Sequence, residues 1–137
     1  MELDDTIYDK ITALCERGNS LADDNDIDGA LQCFKDALEL LPLPHYDWEA
    51  GAWLYASVGD MLYMKGDYRS SLENLREAEK CPTGLGNPFI LLRKGQCYYY
   101  LGDIDNSKKC LFDAYLIDGK MIFRENKKFF KLIKDMI

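Results

Sequence analysis

Few residues in this chain could do covalent or metal chemistry. There is one histidine, His45, and there are five cysteines, Cys15, Cys33, Cys81, Cys97 and Cys110. Cys15 and His45 are the one thinkable nucleophile–base pair, in which the imidazole would take the thiol proton, but no third residue is indicated to orient the imidazole. The odd number of cysteines and the absence of any CxxC pair argue against a disulfide framework or a zinc site. Four of the five fall inside helical patterns, as small buried apolar residues of a reducing compartment do. The run Asp23-Asp24-Asn25-Asp26-Ile27-Asp28 has the acid density of a calcium loop. It lacks the central glycine and the bidentate glutamate at the required spacing, so it reads as a turn with helix-capping acids. No glycine-rich phosphate loop and no Ser/His/Asp set is present. The expectation is a protein that is not an enzyme and carries no metal and no cofactor.

What remains is recognition. Trp53, Ala56, Asp60 and Tyr63 step by three, four and three, and so share one face of a helix. Phe89, Leu92, Gln96 and Tyr99 repeat that spacing, as do Thr12, Cys15, Asn19 and Ala22. Met64 and Tyr100 extend the same surface. Trp and Tyr are favoured at interface hot spots, whereas aromatic stripes on helices also serve as core; the spacing fits both. The candidate partner-binding residues are Asn19, Asp23, Trp53, Asp60, Tyr63, Met64, Phe89, Gln96, Tyr99 and Tyr100. Tyr46 and Trp48, between helical segments, are the next to consider.

Charge narrows the partner. The net charge of −7 over 137 residues is unevenly spread. Residues 1–49 hold thirteen acids and three bases, a net of −10, residues 50–117 balance, and residues 118–137 carry a net of +3. An acidic first third would repel phosphates and suits a basic protein, not a nucleic acid. No apolar run approaches the roughly 20 residues that span a bilayer, and "MELDDTIYDK" has no apolar leader core. The expectation is a cytoplasmic protein with a protein partner and no membrane association.

The elements that position these residues repeat. "GNSLADDNDIDGALQCFKDALELLP" (18–42), "GDMLYMKGDYRSSLENLREAEKCP" (59–82) and "GQCYYYLGDIDNSKKCLFDAYLIDG" (95–119) align without a gap inside any unit. Gly18, Gly59 and Gly95 match, as do the turns Asn25-Asp26-Ile27, Gly66-Asp67-Tyr68 and Gly102-Asp103-Ile104. Then follow Ala30, Ser71 and Ser107, next Phe34, Leu75 and Leu111, and last Ala37, Ala78 and Ala114. Each unit predicts two antiparallel helices joined by a tight turn. Glycine inside a helix costs about 1 kcal/mol relative to alanine, so its recurrence at one place argues for a close helix–helix approach. The first helix is predicted to start near Asp5. Pro42–Gly51 reads as an extended connector and Cys81–Pro88 as the second connector, and "NKKFFKLIKDMI" reads as an amphipathic helix closing the last unit.

This pattern resembles the tetratricopeptide repeat, a helix–turn–helix unit of about 34 residues. The resemblance implies an all-α fold of antiparallel helix–turn–helix repeats stacked as a short right-handed superhelix. It divides a single domain, 1–137, into repeats at about 11–44, 52–85 and 88–119 and a capping helix at about 124–137. In this family the first helix of each unit lines a groove where partners lie. Some members clamp a partner's C-terminal carboxylate with lysine, asparagine and arginine side chains. Asn19 and Arg93 match that clamp, whereas Cys15, Ser57 and Phe89 stand where its lysines and second asparagine fall, so the resemblance does not extend to that specialisation. The acidic first third and the tail "FRENKKFFKLIKDMI" look like small bacterial tetratricopeptide proteins encoded beside polymorphic toxins. That likeness implies an immunity protein neutralising a basic toxin domain. The alternative is a secretion chaperone or assembly adaptor that holds an extended client segment, as three-repeat acidic chaperones of type III secretion do.

Overall fold

The computed structural model describes residues 3–137. Seven α-helices form, and there is no strand among the described residues. They are α1 Asp5–Asp23, α2 Ile27–Leu40, α3 Glu49–Met64, α4 Tyr68–Glu79, α5 Pro88–Tyr100, α6 Ile104–Asp118 and α7 Lys127–Leu132. α1 packs on α2, α3 on α4 and α5 on α6, and α2 also packs on α3. The helices fall into two compact units, one ending at Leu85 and the other Gly86–Ile137.

The three predicted turns share one construction. Asn25, Gly66 and Gly102 have φ of 64°, 84° and 86°, the left-handed region in which Gly and Asn are least strained. From each turn the next amide reaches back over the helix end: Asp26 N to Leu21 O at 2.8 Å, Asp67 N to Leu62 O at 2.9 Å and Asp103 N to Tyr98 O at 2.9 Å. This closes the first helix in a Schellman motif. The same aspartate then opens the second helix, its carboxylate accepting from Gly29 N, Ser70 N or Asn106 N. One residue thus ends one helix and caps the next.

The recurrent glycines mark where paired helices touch. A β-carbon at Gly18 would lie 2.9 Å from Phe34 Cζ, and one at Gly59 would lie 2.9 Å from Leu75 Cγ. At Gly95 it would lie 2.7 Å from Leu111 Cγ. Phe34, Leu75 and Leu111 are the aligned large residues of the second helices, each buried. In the second and third pairs a hydroxyl adds to the contact: Ser71 Oγ donates to Gly59 O and Ser107 Oγ to Gly95 O, both at 2.6 Å and both buried. The first pair has Ala30 at that position, fully buried and without a donor.

In the first unit, Ile11, Ala37, Leu41, Ala50 and Leu54 form one apolar cluster, and Ala30, Leu31, Phe34, Val58, Met61 and Leu62 a second. Both tie α1, α2 and α3 together. In the second unit, Leu91, Leu111 and Ala114 pack with Ile122, Phe123, Phe129 and Ile133 of the tail. The tail therefore covers the α5–α6 pair, but not as one helix over 124–137. It is the short α7 between the 3-10 turns Lys120–Phe123 and Lys134–Met136. The break brings two apolar pairs, Ile122-Phe123 and Phe129/Ile133, to the same core. One straight helix through Lys127 would not present both.

The Pro42–Gly51 connector is also less extended than expected. It folds into a 3-10 turn, His45–Asp47, and α3 begins inside it at Glu49. Trp48 Nε1 donates to Pro42 O at 2.9 Å, His45 Nδ1 lies 2.8 Å from Tyr55 Oη, and Tyr46 Oη donates to Glu77 Oε2 at 2.6 Å.

Two outcomes are expected. Gly59→Leu should lose about 1–3 kcal/mol in chemical denaturation, because the added side chain meets Leu75 and the Ser71 carbonyl; an unchanged midpoint would place Gly59 away from a helix contact. Deleting residues 124–137 removes Phe129 and Ile133 from their core and should cause aggregation or a clear fall in melting temperature. A truncated chain as soluble and stable as the full one would show that the tail does not close the fold.

Candidate protein-binding surface

The expected partner-binding residues divide by what they touch. In the first unit, Asn19 and Asp23 are exposed on α1. On α3, Trp53 and Met64 are 41% and 56% exposed, while Asp60 and Tyr63 are half-buried. Tyr63 meets Tyr68 edge-on, with ring centroids 5.4 Å apart, across the α3–α4 turn. In the second unit, Phe89 is 63% exposed at the start of α5. Gln96, however, is 2% exposed, and its amide oxygen accepts from Arg93 Nη1 at 2.8 Å, so it holds its own helix in order and is not open to a partner.

Tyr99 and Tyr100 engage the tail. Tyr99 packs edge-on against Phe129 at 5.4 Å, and Tyr100 meets the same ring at 6.2 Å. Lys128 Nζ donates to Tyr100 Oη at 2.7 Å and sits 5.1 Å and 4.8 Å from the Tyr99 and Tyr100 ring centres. At Tyr100 the ammonium is held by the hydroxyl, and its approach to the Tyr99 ring is an attractive cation–aromatic contact. Tyr99 is therefore mainly a packing residue, whereas Tyr100 keeps 41% of its surface exposed.

The structure also shows a cleft that the helical spacing did not reveal. An open cleft of about 680 Å³ lies in the first unit, where the start of α1 faces the connector and the start of α3. Trp53 lines it together with Tyr8 and Trp48, and so do the carboxyl-bearing Asp5, Asp47 and Glu49. Trp48 is fixed by its bond to the Pro42 carbonyl. The sequence signal was "DWE", an aromatic between two acids at 47–49. It was masked because these residues lie outside the aligned units.

The chemical candidates resolve simply. His45 pairs with Tyr55, and burial pushes the Cys15 thiol up to about 11, with the neighbouring Cys33 adding to the shift. Cys15 is thus held as a thiol, the opposite of an activated nucleophile. In the Asp23–Asp28 run, Asp26 caps α2 and Asp28 pairs with Lys65 Nζ at 2.6 Å. Among the described residues no helix is long and apolar enough to cross a membrane.

The comparisons agree with the fold. The tetratricopeptide repeat family model matches residues 90–120. No curated protein matches the sequence. Among solved structures, the Yersinia enterocolitica type III secretion chaperone SycD, in complex with a peptide of the translocator YopD, is 17% identical with a TM-score of 0.74; the match covers 93% of this chain and 92% of that one. The first tetratricopeptide domain of Spaghetti, bound to an HSP90 peptide, is 14% identical with a TM-score of 0.75, covering 93% and 94%. The C-terminal tetratricopeptide-containing domain of a Plasmodium falciparum protein of the FK506-binding class is 16% identical with a TM-score of 0.78, covering 97% and 89%. The all-α tetratricopeptide fold expected from the three aligned units is the fold of this chain.

Cys15 supplies a direct test. A thiol raised to about 11 holds about 100-fold less thiolate at pH 8 than an ordinary one, and higher intrinsic nucleophilicity returns about a factor of ten. Cys15 should therefore alkylate roughly tenfold more slowly than a free cysteine thiol, followed by peptide mass spectrometry. Faster alkylation than the free thiol would reopen a nucleophilic role.

Proposed function

We propose that this chain is a non-enzymatic protein-binding module that holds an extended segment of a client, as a secretion chaperone or assembly adaptor does. The observation that carries the proposal is the shared fold with two structures that hold peptides, SycD with a YopD peptide and Spaghetti with an HSP90 peptide. It is supported by Trp53, Met64 and Phe89, large side chains left exposed on α3 and α5, the first helices of their pairs. This order reverses the expectation from sequence, which put an immunity protein first. The immunity reading keeps one specific support, the net −10 of residues 1–49, which suits a basic toxin domain.

The experiment is affinity capture from the native host, identification of the partner, and binding measurements with purified partner. Trp53→Ala and Phe89→Ala should each weaken binding at least about tenfold, on the usual hot-spot scale, with the melting temperature unchanged. Tyr99→Ala should instead lower the melting temperature, since Tyr99 packs on Phe129. Binding unaffected by both exposed-aromatic substitutions would rule out these helices as the contact surface. A captured partner whose lethal activity is abolished on binding would favour immunity; an exported client kept from aggregating would favour the chaperone reading.

A further inference from the structure

The cleft between the start of α1 and the connector has a chemistry that selects its occupant. Its walls carry three aromatic rings, Tyr8, Trp48 and Trp53, and three carboxylates, Asp5, Asp47 and Glu49, with no basic side chain among the described residues. None of the three carboxylates forms an ion pair among the described residues. They are also not needed as side-chain caps: Asp4 caps α1 by accepting from Thr6 N at 2.9 Å, and α3 has Trp48 at its N-cap position with no side-chain cap bond. The two helix starts at the cleft together contribute about one positive charge, against three negative ones. Among the described lining groups this leaves roughly two negative charges uncompensated, in a space lined by three aromatic residues.

We propose that this cleft receives an arginine side chain of the partner protein. The inference rests on the protein-binding reading above and adds the chemistry of one contact. A guanidinium is planar and weakly hydrated. It stacks on indole and phenol faces while its edge donates to carboxylates, so it uses both halves of this lining at once. A lysine ammonium uses the charge but not the plane, and an apolar side chain leaves the carboxylates unpaired. Trp48, locked by the Pro42 carbonyl, provides a wall that need not be ordered on binding.

The two tryptophans of the chain, Trp48 and Trp53, both line this cleft, so intrinsic tryptophan fluorescence reports on it alone. The probe is a blocked peptide of alternating arginine and glycine, titrated against the full chain. Its isosteric counterpart with citrulline in place of arginine, uncharged, serves as the comparison. Saturable fluorescence change is expected with the arginine peptide, at least about tenfold weaker with citrulline and several-fold weaker with lysine. Combining Asp5→Asn, Asp47→Asn and Glu49→Gln should weaken arginine-peptide binding about tenfold or more. Combining Glu16→Gln, Asp24→Asn and Glu39→Gln, an equal change of charge elsewhere on the unit, should weaken it less than about threefold. Trp53→Ala, checked for unchanged circular dichroism, should reproduce the loss by calorimetry. Equal losses from both charge sets, or no loss in Trp53→Ala, would overturn the cleft and leave only a general acidic field. If the captured partner binds the combined Asp5→Asn, Asp47→Asn and Glu49→Gln variant at full strength while Phe89→Ala weakens it, the cleft inference fails and the protein-binding reading stands. If the arginine peptide binds as described but no partner is captured, the reading fails and the cleft chemistry stands.

Discussion

The structure depends on the contact between a glycine on one helix and a large side chain on its partner. At Gly18, Gly59 and Gly95 there is no room for a β-carbon, because Phe34, Leu75 and Leu111 occupy that space. The absence of a side chain on one helix is what allows a large one on the other to be buried. Where Ser71 or Ser107 is present, its hydroxyl bonds the glycine carbonyl at 2.6 Å, so the backbone itself becomes part of the contact. A buried hydroxyl must find a partner or cost about 1–3 kcal/mol, and the close approach supplies one. Helix pairing, burial and hydrogen bonding are thus satisfied by one arrangement repeated along the chain.

That arrangement explains why the fold was largely legible. The glycine, the turn and the closing alanine are each demanded by local geometry, and each residue type has few substitutes. Gly66 and Gly102 stand where φ is near +85°, and Asp67 and Asp103 stand where a backbone amide needs an acceptor. Other features rest on contacts that helical spacing does not encode. Serine at 71 and 107 read only as a small residue, because Ala30 occupies the same place in the first unit. The tail read as one amphipathic helix, because lysines and apolar residues alternate at suitable intervals; the break at Asn126 becomes necessary only once Ile122-Phe123 and Phe129/Ile133 must meet one core.

The candidate surface was legible in part, for a related reason. Spacing places Trp53, Tyr63, Gln96 and Tyr99 on helical faces, but a face is open or covered according to what lies across it. Gln96 lies against Arg93, Tyr99 lies under Phe129, and Trp53 and Phe89 remain exposed. The same aromatic character therefore serves packing at one position and leaves surface for recognition at another. Only the three-dimensional neighbours separate the two.

The acidic, aromatic cleft belongs to none of the repeated positions, and this bears on how such a chain acquires individuality. The unit starts at Gly18, Gly59 and Gly95 are 41 and then 36 residues apart. The units align without gaps, so the additional length of the first interval lies in its connector. That connector folds into the His45–Asp47 turn and carries Trp48, held by the Pro42 carbonyl, beside Asp47 and Glu49. Residues within the repeats are constrained by the glycine contact and the turn, and can change little without loss of packing. A connector pinned at a few points, here through Trp48, Tyr46 and His45, is free to carry any chemistry between those points. The repeats hold the start of α1 and the start of α3 at a fixed spacing, and the longer connector fills one side of the opening between them with charge and aromatic surface. On the proposed reading, the arginine contact therefore lies where the sequence departs from the repeat.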